Sequence, residues 1–455
     1  WSFVPPEFYG SIKRLYDNTT RINFPGIPAI ADTPAPAPKP YGMDGPMAAY
    51  RQGTSAWLYA SMRRGGRLIY AFDVSDPASP ILKWRRGCPN QDNDVGCGTG
   101  TNDMSGIGQT WSAPKIVKAS GYGAGSTPMV MFGGGYDKCE DVDAAAPTPA
   151  PCGAATKGKK IYVLDASTGD VLKTFDTVRA VSGEITIVND STGLAKFAYA
   201  ADLGGNVYRI TMGAGAPASW EMAKIASLGC DDAAATCTPN RKFMFGPDVV
   251  EDNGMYVLLL GSGDREKPLR SYAGALSVSN RFYMLVDKPS DGTWLTAEAS
   301  RCNGSTLLCH GSLFAITGTT APSATELAAK KGWYLALEAG EQVVTSSVTA
   351  YGNTTFNTHT PTDPAVSQSC RADLGTANVY NLSYLDATGQ NGARFQNVVG
   401  GGLAPSPVVG RVNVDGVLRD VVIGANPDSF LSPKGAAVKA AFKQPKGRVY
   451  WFIQK

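Results

Sequence analysis

The chain has 455 residues, enough for two or three ordinary domains or for one large repeat architecture. With 43% hydrophobic and 18% charged residues it reads as a folded protein with a sizeable core. The formal net charge of +3 comes without a lysine–arginine stripe interleaved with aromatics, which argues against nucleic acid as a partner. No apolar run approaches the roughly 18 residues of a membrane-spanning helix.

In chain order, the opening WSFVPPEFYG reads as the middle of a domain, and residues 32–46, DTPAPAPKPYGMDGP, as an extended loop stiffened by proline. A short strand with a central aromatic, often followed by aspartate, then recurs. Its copies are LIYAFDVSDP (68–77), KIYVLDASTG (160–169), NVYRITM (206–212), RFYMLVDKPSDG (281–292), GWYLALEAGE (332–341), NVYNLSYLDATG (378–389) and RVYWFIQK (448–455). Other strands lie between them, among them PMVMFGG, AKFAYAADLGG, MYVLLLGSGD, VVTSSVTAYG and RDVVIGAN. Asn253-Gly254 and Asp415-Gly416 read as hairpin turns. Only Ser323 to Lys331, SATELAAKK, suggests a helix, and a short one. With 52 glycines and 30 prolines as turn punctuation, seven strand copies predict an all-β, seven-bladed β-propeller, with two β-sandwich domains as the alternative. One blade cannot bury both faces, so blades must stack radially and close into a ring.

Eight of the nine cysteines fall into four close pairs: Cys88/Cys97, Cys139/Cys152, Cys230/Cys237 and Cys302/Cys309. None has the CxxC spacing of zinc or redox motifs, and Cys370 has no near neighbour. Neighbour pairing would staple four loop insertions, each staple contributing about 2–3 kcal/mol by restricting the unfolded chain, and would place the protein in an oxidising compartment. Two stapled loops are acidic. GGGYDKCEDVDAAAPTPAPCG carries Asp137, Glu140, Asp141 and Asp143, and NQDNDVG carries Asp92, Asn93 and Asp94. Asp92, Asn93, Asp94, Asp137, Asp141 and Asp143 are the candidate calcium ligands, although both loops read first as surface decorations on blade edges. GSGDREKPL (261–269) reads as a solvated ion-pair cluster, His310 as structural or exposed, His359 as a loop histidine, and Trp111, Trp333 and Trp451 as core.

The strand KIYVLDASTGDVL resembles the repeat of quinoprotein propellers. A closer resemblance covers nearly the whole chain. SMRRGGRLIYAFDVSDP, GQTWSAPKI, MFGGGYD, AADLGGNVYRI, GSGDREKPL, KGWYLAL with EQVVTS, GGGLAPSPVVG and KGRVYWFIQK come in the order of the C-terminal propeller of the PilC/PilY family, type IV pilus tip adhesin and biogenesis proteins. The resemblance implies that residues 1–455 are a single β-propeller domain, a fragment without the family's N-terminal von Willebrand A-like half and first propeller strands. It implies no enzyme but an exported binding platform in pilus assembly, extension and adhesion. Its place would be the cell surface at the pilus tip, outer-membrane-associated or periplasmic in transit. Minor pilins and a host or abiotic surface would be its partners. Calcium is the one cofactor the family suggests, held in a loop just before the DLxGN strand. Here that loop is VNDSTGLAKFAYAADLGGN, where Val188, Asp190, Thr192, Leu194 and Lys196 fall at the ligand positions. Val188 and Lys196 supply no ligand, so Asp190 and Thr192 mark a degenerate site. The alternatives are a quinoprotein-type dehydrogenase, against which stands the lack of a vicinal cysteine pair and of CxxCH, and a periplasmic assembly scaffold, whose propellers are smaller and poor in cysteine.

Overall fold

The structure is a computed structural model that describes residues 2–23, 33, 35–142, 156–233, 237–362, 374–390, 392–414, 417–428 and 434–435. Among the described residues six mainly antiparallel sheets follow one another along the chain, and the first, second, third and sixth are simple meanders. The first comprises Met47–Gln52, Ser55–Ser61, Arg67–Asp73 and Ile81–Cys88. The second comprises Lys115–Val117, Met129–Gly133, Lys160–Asp165 and Val171–Asp176; the third, Thr186–Asn189, Ala195–Ala201, Asn206–Thr211 and Glu221–Ser227. The fourth runs Asp248–Asp252, Met255–Gly261, Arg281–Asp287 and Gly332–Ala336, with Phe314–Ile316 added in parallel at its outer edge. In the fifth, Gln342–Val343 and Val348–Ala350 both pair with Asn353–Thr360, followed by Thr376–Ser383 and Phe395–Asn397. The sixth has Val408–Val414, Val417–Ile423 and Lys434–Gly435.

Strand periodicity explains why these sheets stack. Side chains alternate faces along a strand, so a continuous apolar run makes both faces hydrophobic. In the first sheet Ile69 and Ala71 pack against Val130, Phe132, Tyr162 and Leu164 of the second. The alternate residues Met129, Met131, Ile161 and Val163 pack against Ala198, Ala200 and Ile210 of the third. The same parity carries Phe197, Tyr199 and Val207 onto Tyr256, Leu258 and Tyr283, and then Val257, Leu259 and Phe282 onto Phe356, Tyr380 and Leu382. The fifth and sixth sheets share Val379 and Val422. First strands touch at the first–second and third–fourth junctions, and Val348–Ala350 of the fifth sheet touches the first strands of the fourth and the sixth, so this edge of the sheets is the inner one. The architecture is that of an all-β, propeller-like stack.

The remaining face of the first sheet, Leu68, Tyr70 and Phe72, is covered by the N-terminal segment. Phe3 meets Tyr70 and Phe72 edge-on at 5.3 and 5.0 Å, and Glu7 accepts hydrogen bonds from Tyr70 and Arg85. That segment continues into an α-helix, Tyr9–Asp17, closed by Asn18 in the left-handed region at φ 46°. The sequence does carry its helical spacing, Tyr9, Ile12 and Tyr16 at i, i+3 and i+7, but these apolar residues and Leu15 are exposed rather than turned to the core. The anticipated helix is present at Ala324–Ala328, with Ser323 and Glu326 forming a capping box.

The repeat copies do not map one to a sheet. RFYMLVD and GWYLA lie side by side in the fourth sheet, separated in sequence by the long insertion 288–331. The copy at 448–455, with Trp451, lies outside the described residues. His359 is not in a loop: it lies buried within Asn353–Thr360.

Between the fourth and fifth sheets Phe282 and Phe356 stack at 3.8 Å, and Phe356 stacks on Tyr380 at 4.7 Å. Phe282→Ala opens a cavity in this layer and is expected to cost about 3–5 kcal/mol in denaturant unfolding. Ile81→Ala, on an outer strand where the side chain is exposed, is expected to stay within about 0.5 kcal/mol. Equal costs would contradict the layered core.

Candidate functional site

The DLGG turn before Asn206–Thr211 is a pinned aspartate. Asp202 is fully buried, and its carboxylate accepts from the backbone of Gly204, Asn206 and Arg179, the Asn206 amide and the Tyr208 hydroxyl. Burial pushes its pKa up, partly offset by these donors. The motif is therefore a structural staple of the third sheet.

The loop that precedes it uses its carboxylate in the same local way. Asp190 Oδ1 accepts from the Thr192 backbone (2.8 Å), the Thr192 hydroxyl (2.6 Å) and the Leu194 backbone (3.1 Å). Gly193 takes φ 86° to close the turn, and Lys196 Nζ sits 3.4 Å from the Tyr256 hydroxyl. These residues do not fit a calcium ion: the single carboxylate closes its own turn and a lysine occupies another ligand position.

Disulfides join Cys88–Cys97, Cys230–Cys237 and Cys302–Cys309. Cys139 is also disulfide-bonded; Cys152, Asp143 and Cys370 lie outside the described residues. The loops work in pairs. Lys138, beside Cys139, forms an ion pair with Asp92, and Lys157 binds Asp94 at 2.6 Å, tying the Cys139 loop to the Cys88–Cys97 loop. Asp94 also accepts from Arg67, while Asn93 gives Arg67 its backbone carbonyl and caps Val95 with its side chain. Likewise Asn303 of the Cys302–Cys309 loop donates to Asp232 of the Cys230–Cys237 loop, and Ala233 packs against Cys302, Leu307 and Cys309. His310 sits under this pair against the Tyr283 hydroxyl at 3.1 Å. Burial, with Arg281 and Arg241 nearby, pushes its pKa down to about 3, so it is a neutral packing residue.

The acidic candidates do not converge. Asp137 caps its own short helix, accepting from Cys139, Thr156 and Lys157 backbone N–H groups. Asp141 accepts two bonds from Arg64, at 3.0 and 2.7 Å, and one from Tyr136. Among the described residues the one metal-sized group of His, Cys, Asp and Glu is Cys88, Asp94 and Cys97, and its two sulfurs are bonded to each other.

What the loops surround is a buried charge hub that sequence reasoning missed. Arg64 of the first sheet bridges Asp141 of the second and Glu266 of the fourth, each at 2.7 Å. Glu140 accepts from Arg179 and, at 2.9 Å, from Lys242, which also binds Asp264 at 3.0 Å. Lys267 Nζ reaches Asp264 at 3.1 Å and the Glu140 carbonyl at 2.6 Å. These bonds join sheets that are not neighbours, which in a stack of sheets is feasible only at the axis. Trp111 and Tyr136 stack at 4.2 Å beside the hub, with the Arg64 guanidinium about 5 Å from both rings. Burial pushes the Glu140 and Asp264 carboxyls up, but their lysine and arginine partners outweigh it and hold both below the usual range. For Lys242 burial is likewise outweighed, by Asp264 and Glu140, and its pKa is raised; for Lys267 burial prevails and its pKa is lowered.

Two expectations are corrected here. DREK is not a solvated cluster: Asp264 and Lys267 are 6% and 2% exposed. Nor is the segment around Asp137 and Glu140 a surface decoration, since both are buried. The sequence signal was a charged group set directly beside glycines at a strand end, as in SMRRGG, GGGYDKCED and GSGDREK.

Glu140→Gln leaves Arg179 without its counter-charge and Lys242 with Asp264 alone, and is expected to cost about 3–5 kcal/mol at pH 7, read by urea unfolding. A carboxyl with a depressed folded pKa stabilises fully above its unfolded value, about 4.3, and loses that contribution as pH falls through the folded value. The gap between wild type and Glu140→Gln should therefore narrow on acidification, and a constant gap would refute the ion-pair role. Titrating calcium into chelator-treated protein is expected to give no saturable heat and no rise in Tm; a clear rise would contradict the local role assigned to Asp137, Asp141 and Asp190.

Residues 40–238 match a family model, the PilY1 beta-propeller domain. Type IV pilus biogenesis factor PilY1 of Pseudomonas aeruginosa, in strains PAO1 and PAK alike, is 28% identical over 169 residues, which make up 35% of this chain and 12% of that protein. The chain thus aligns with only a small part of these curated relatives. The crystal structure of the P. aeruginosa PilY1 C-terminal domain has a similar fold, with TM-score 0.55 and 16% identity over 85% of each chain. Across residues 40–238 the chain is thus similar in sequence to the PilY1 β-propeller domain, and across most of its length it is similar in fold to the PilY1 C-terminal domain.

Proposed function

We propose that this chain is the binding platform of a type IV pilus biogenesis factor, a non-catalytic module that acts in pilus assembly and extension and in surface adhesion. The observation that carries the reading is the arrangement of stapled loops about the axial hub. The Cys88–Cys97 loop and the described part of the Cys139 loop form one braced pair, and the Cys230–Cys237 and Cys302–Cys309 loops the other. Loops held on a rigid sheet scaffold are a recurrent form of recognition surface. The braces shorten the free chain in each loop, so less order is lost when a partner is bound.

Seven blades closing into a ring complete this proposal, with the innermost strands around the axis. Minor pilins at the pilus tip and a host or abiotic surface are its partners, and the exported protein acts at the cell surface.

The test is a strain in which the segment encoding residues 1–455 is deleted and then restored. Deletion is expected to reduce surface pili and attachment, restoration to recover both, and the protein to appear in sheared pili. Normal piliation and attachment in the deletion strain, with the protein confined to the periplasm, would overturn the proposal.

A further inference from the structure

We propose that Arg63 and Arg265, facing each other at the mouth of the axial hub, receive a carboxylate carried by a protein partner. This deepens the reading above and rests on it, since it takes the loop-bearing end as the binding face.

Charge balance is the first argument. The hub holds six cations, Arg63, Arg64, Arg179, Lys242, Arg265 and Lys267, against four carboxylates, Glu140, Asp141, Asp264 and Glu266. The excess is located at Arg63 and Arg265. Glu266 is engaged by Arg64, which donates to it at 3.1 and 2.7 Å, and stands 3.5 Å from Arg63. Among the described residues Arg265 has no carboxylate within ion-pair distance. Its Nη1 donates to the Val344 carbonyl at 2.5 Å and the Ala404 carbonyl at 2.8 Å, which orient the group without neutralising it. Burial first, then the neighbouring Arg63, depress its pKa, as two like charges at one opening require.

Geometry is the second. Arg265 comes from the fourth sheet and reaches the approach to the sixth, while Arg63 comes from the first, so the two groups stand across the axis. Arg63 holds a left-handed backbone, φ 48°, that glycine would adopt without strain, and its N–H donates to the Thr110 carbonyl. Its guanidinium lies 4.8 Å from the Trp111 ring centre while the side chain stays 39% exposed. A stacked, pre-oriented guanidinium facing a second one suits the two oxygens of a carboxylate.

The flanking loops indicate what carries that carboxylate. Asp92 and Asp231 are 82% and 76% exposed on the stapled loops, more so than the cations they pair with, Lys138 at 45% and Arg241 and Arg281 at 6% and 14%. An extended polyanion crossing the mouth would meet these charges. A single acidic side chain at the tip of a protein segment, with basic residues beside it, complements both the centre and the rim.

The test is calorimetric titration of the purified chain with a blocked Lys-Glu-Lys peptide and its Lys-Gln-Lys counterpart. The acidic peptide is expected to bind saturably and the amide peptide not to bind. Arg265→Gln and Arg63→Gln should each weaken binding at least tenfold, while Arg14→Gln, whose side chain donates to the Ala37 carbonyl, should leave it unchanged. The Arg63 side chain is 39% exposed, so Arg63→Gln keeps the test decisive if Arg265→Gln unfolds the chain. Equal binding of the two peptides, or wild-type binding by Arg63→Gln, would overturn the proposal. So would displacement of the peptide by inorganic phosphate or heparin at lower concentration, which would assign the mouth to phosphate or polyanions. Because no pili are present, this result stands or falls separately from the deletion strain.

Discussion

A sheet with apolar side chains on both faces has no stable state alone in water, and that constraint organises this molecule. Met129 and Val130 are adjacent residues of one strand, yet they belong to different hydrophobic layers, one shared with the third sheet and one with the first. Each sheet is therefore the floor of one core and the ceiling of the next. The first sheet shows what the constraint demands where no neighbouring sheet is described: Phe3 and Phe8 cover Tyr70 and Phe72 in its place. Stability in such a stack is distributed, since every layer rests on two sheets at once.

The same stacking creates the hub. Sheets arranged about an axis bring their inner loop ends together, and charged groups there leave bulk water. A buried charge is tolerated only when paired and hydrogen-bonded. Glu140 meets that condition with Arg179 and Lys242, and Asp141 meets it with Arg64. Both acids follow Cys139 directly in the chain. The loop that was most conspicuous in the sequence is thus anchored at its start to four different sheets or their connections. Its staple and its ion pairs act on the same few residues, and rigidity at the axis extends outward through Lys138 to the neighbouring Cys88–Cys97 loop.

Much of this was legible from local pattern. Alternating and continuous apolar strands, the Asn253-Gly254 turn and the spacing of cysteine pairs are short-range signals, and the sheets, the turn and three disulfides follow them. What escaped was long-range. Arg64 and Glu266 are 202 residues apart, and nothing in SMRRGG or GSGDREK reports that the fold will seat them 2.7 Å from one another. Burial of Asp264 could not be read from charge density alone, because a charged tetrad looks equally suited to solvent. Counting aromatic strands also misled: Tyr283 and Tyr334 occur in similar motifs but pair within one sheet, since the intervening insertion returns the chain to the edge it left. Helix Tyr9–Asp17 departs from the usual rule that an apolar stripe faces the core.

The division of labour between staples and ion pairs bears on how such a surface could remain specific. Disulfides restrict the loop backbones without dictating what they contact, so loop sequence can change while the frame is kept. The hub is the opposite: Glu140 serves Arg179 through one oxygen and Lys242 through the other, while its carbonyl holds Lys267. No one of these partners can change alone without stranding a charge in a desolvated place. Variation is thereby directed to the loops, and constancy to the axis. A carboxylate recognised at Arg63 and Arg265 would use the constant part as a common anchor, leaving the stapled rim to discriminate among partners that share that anchor.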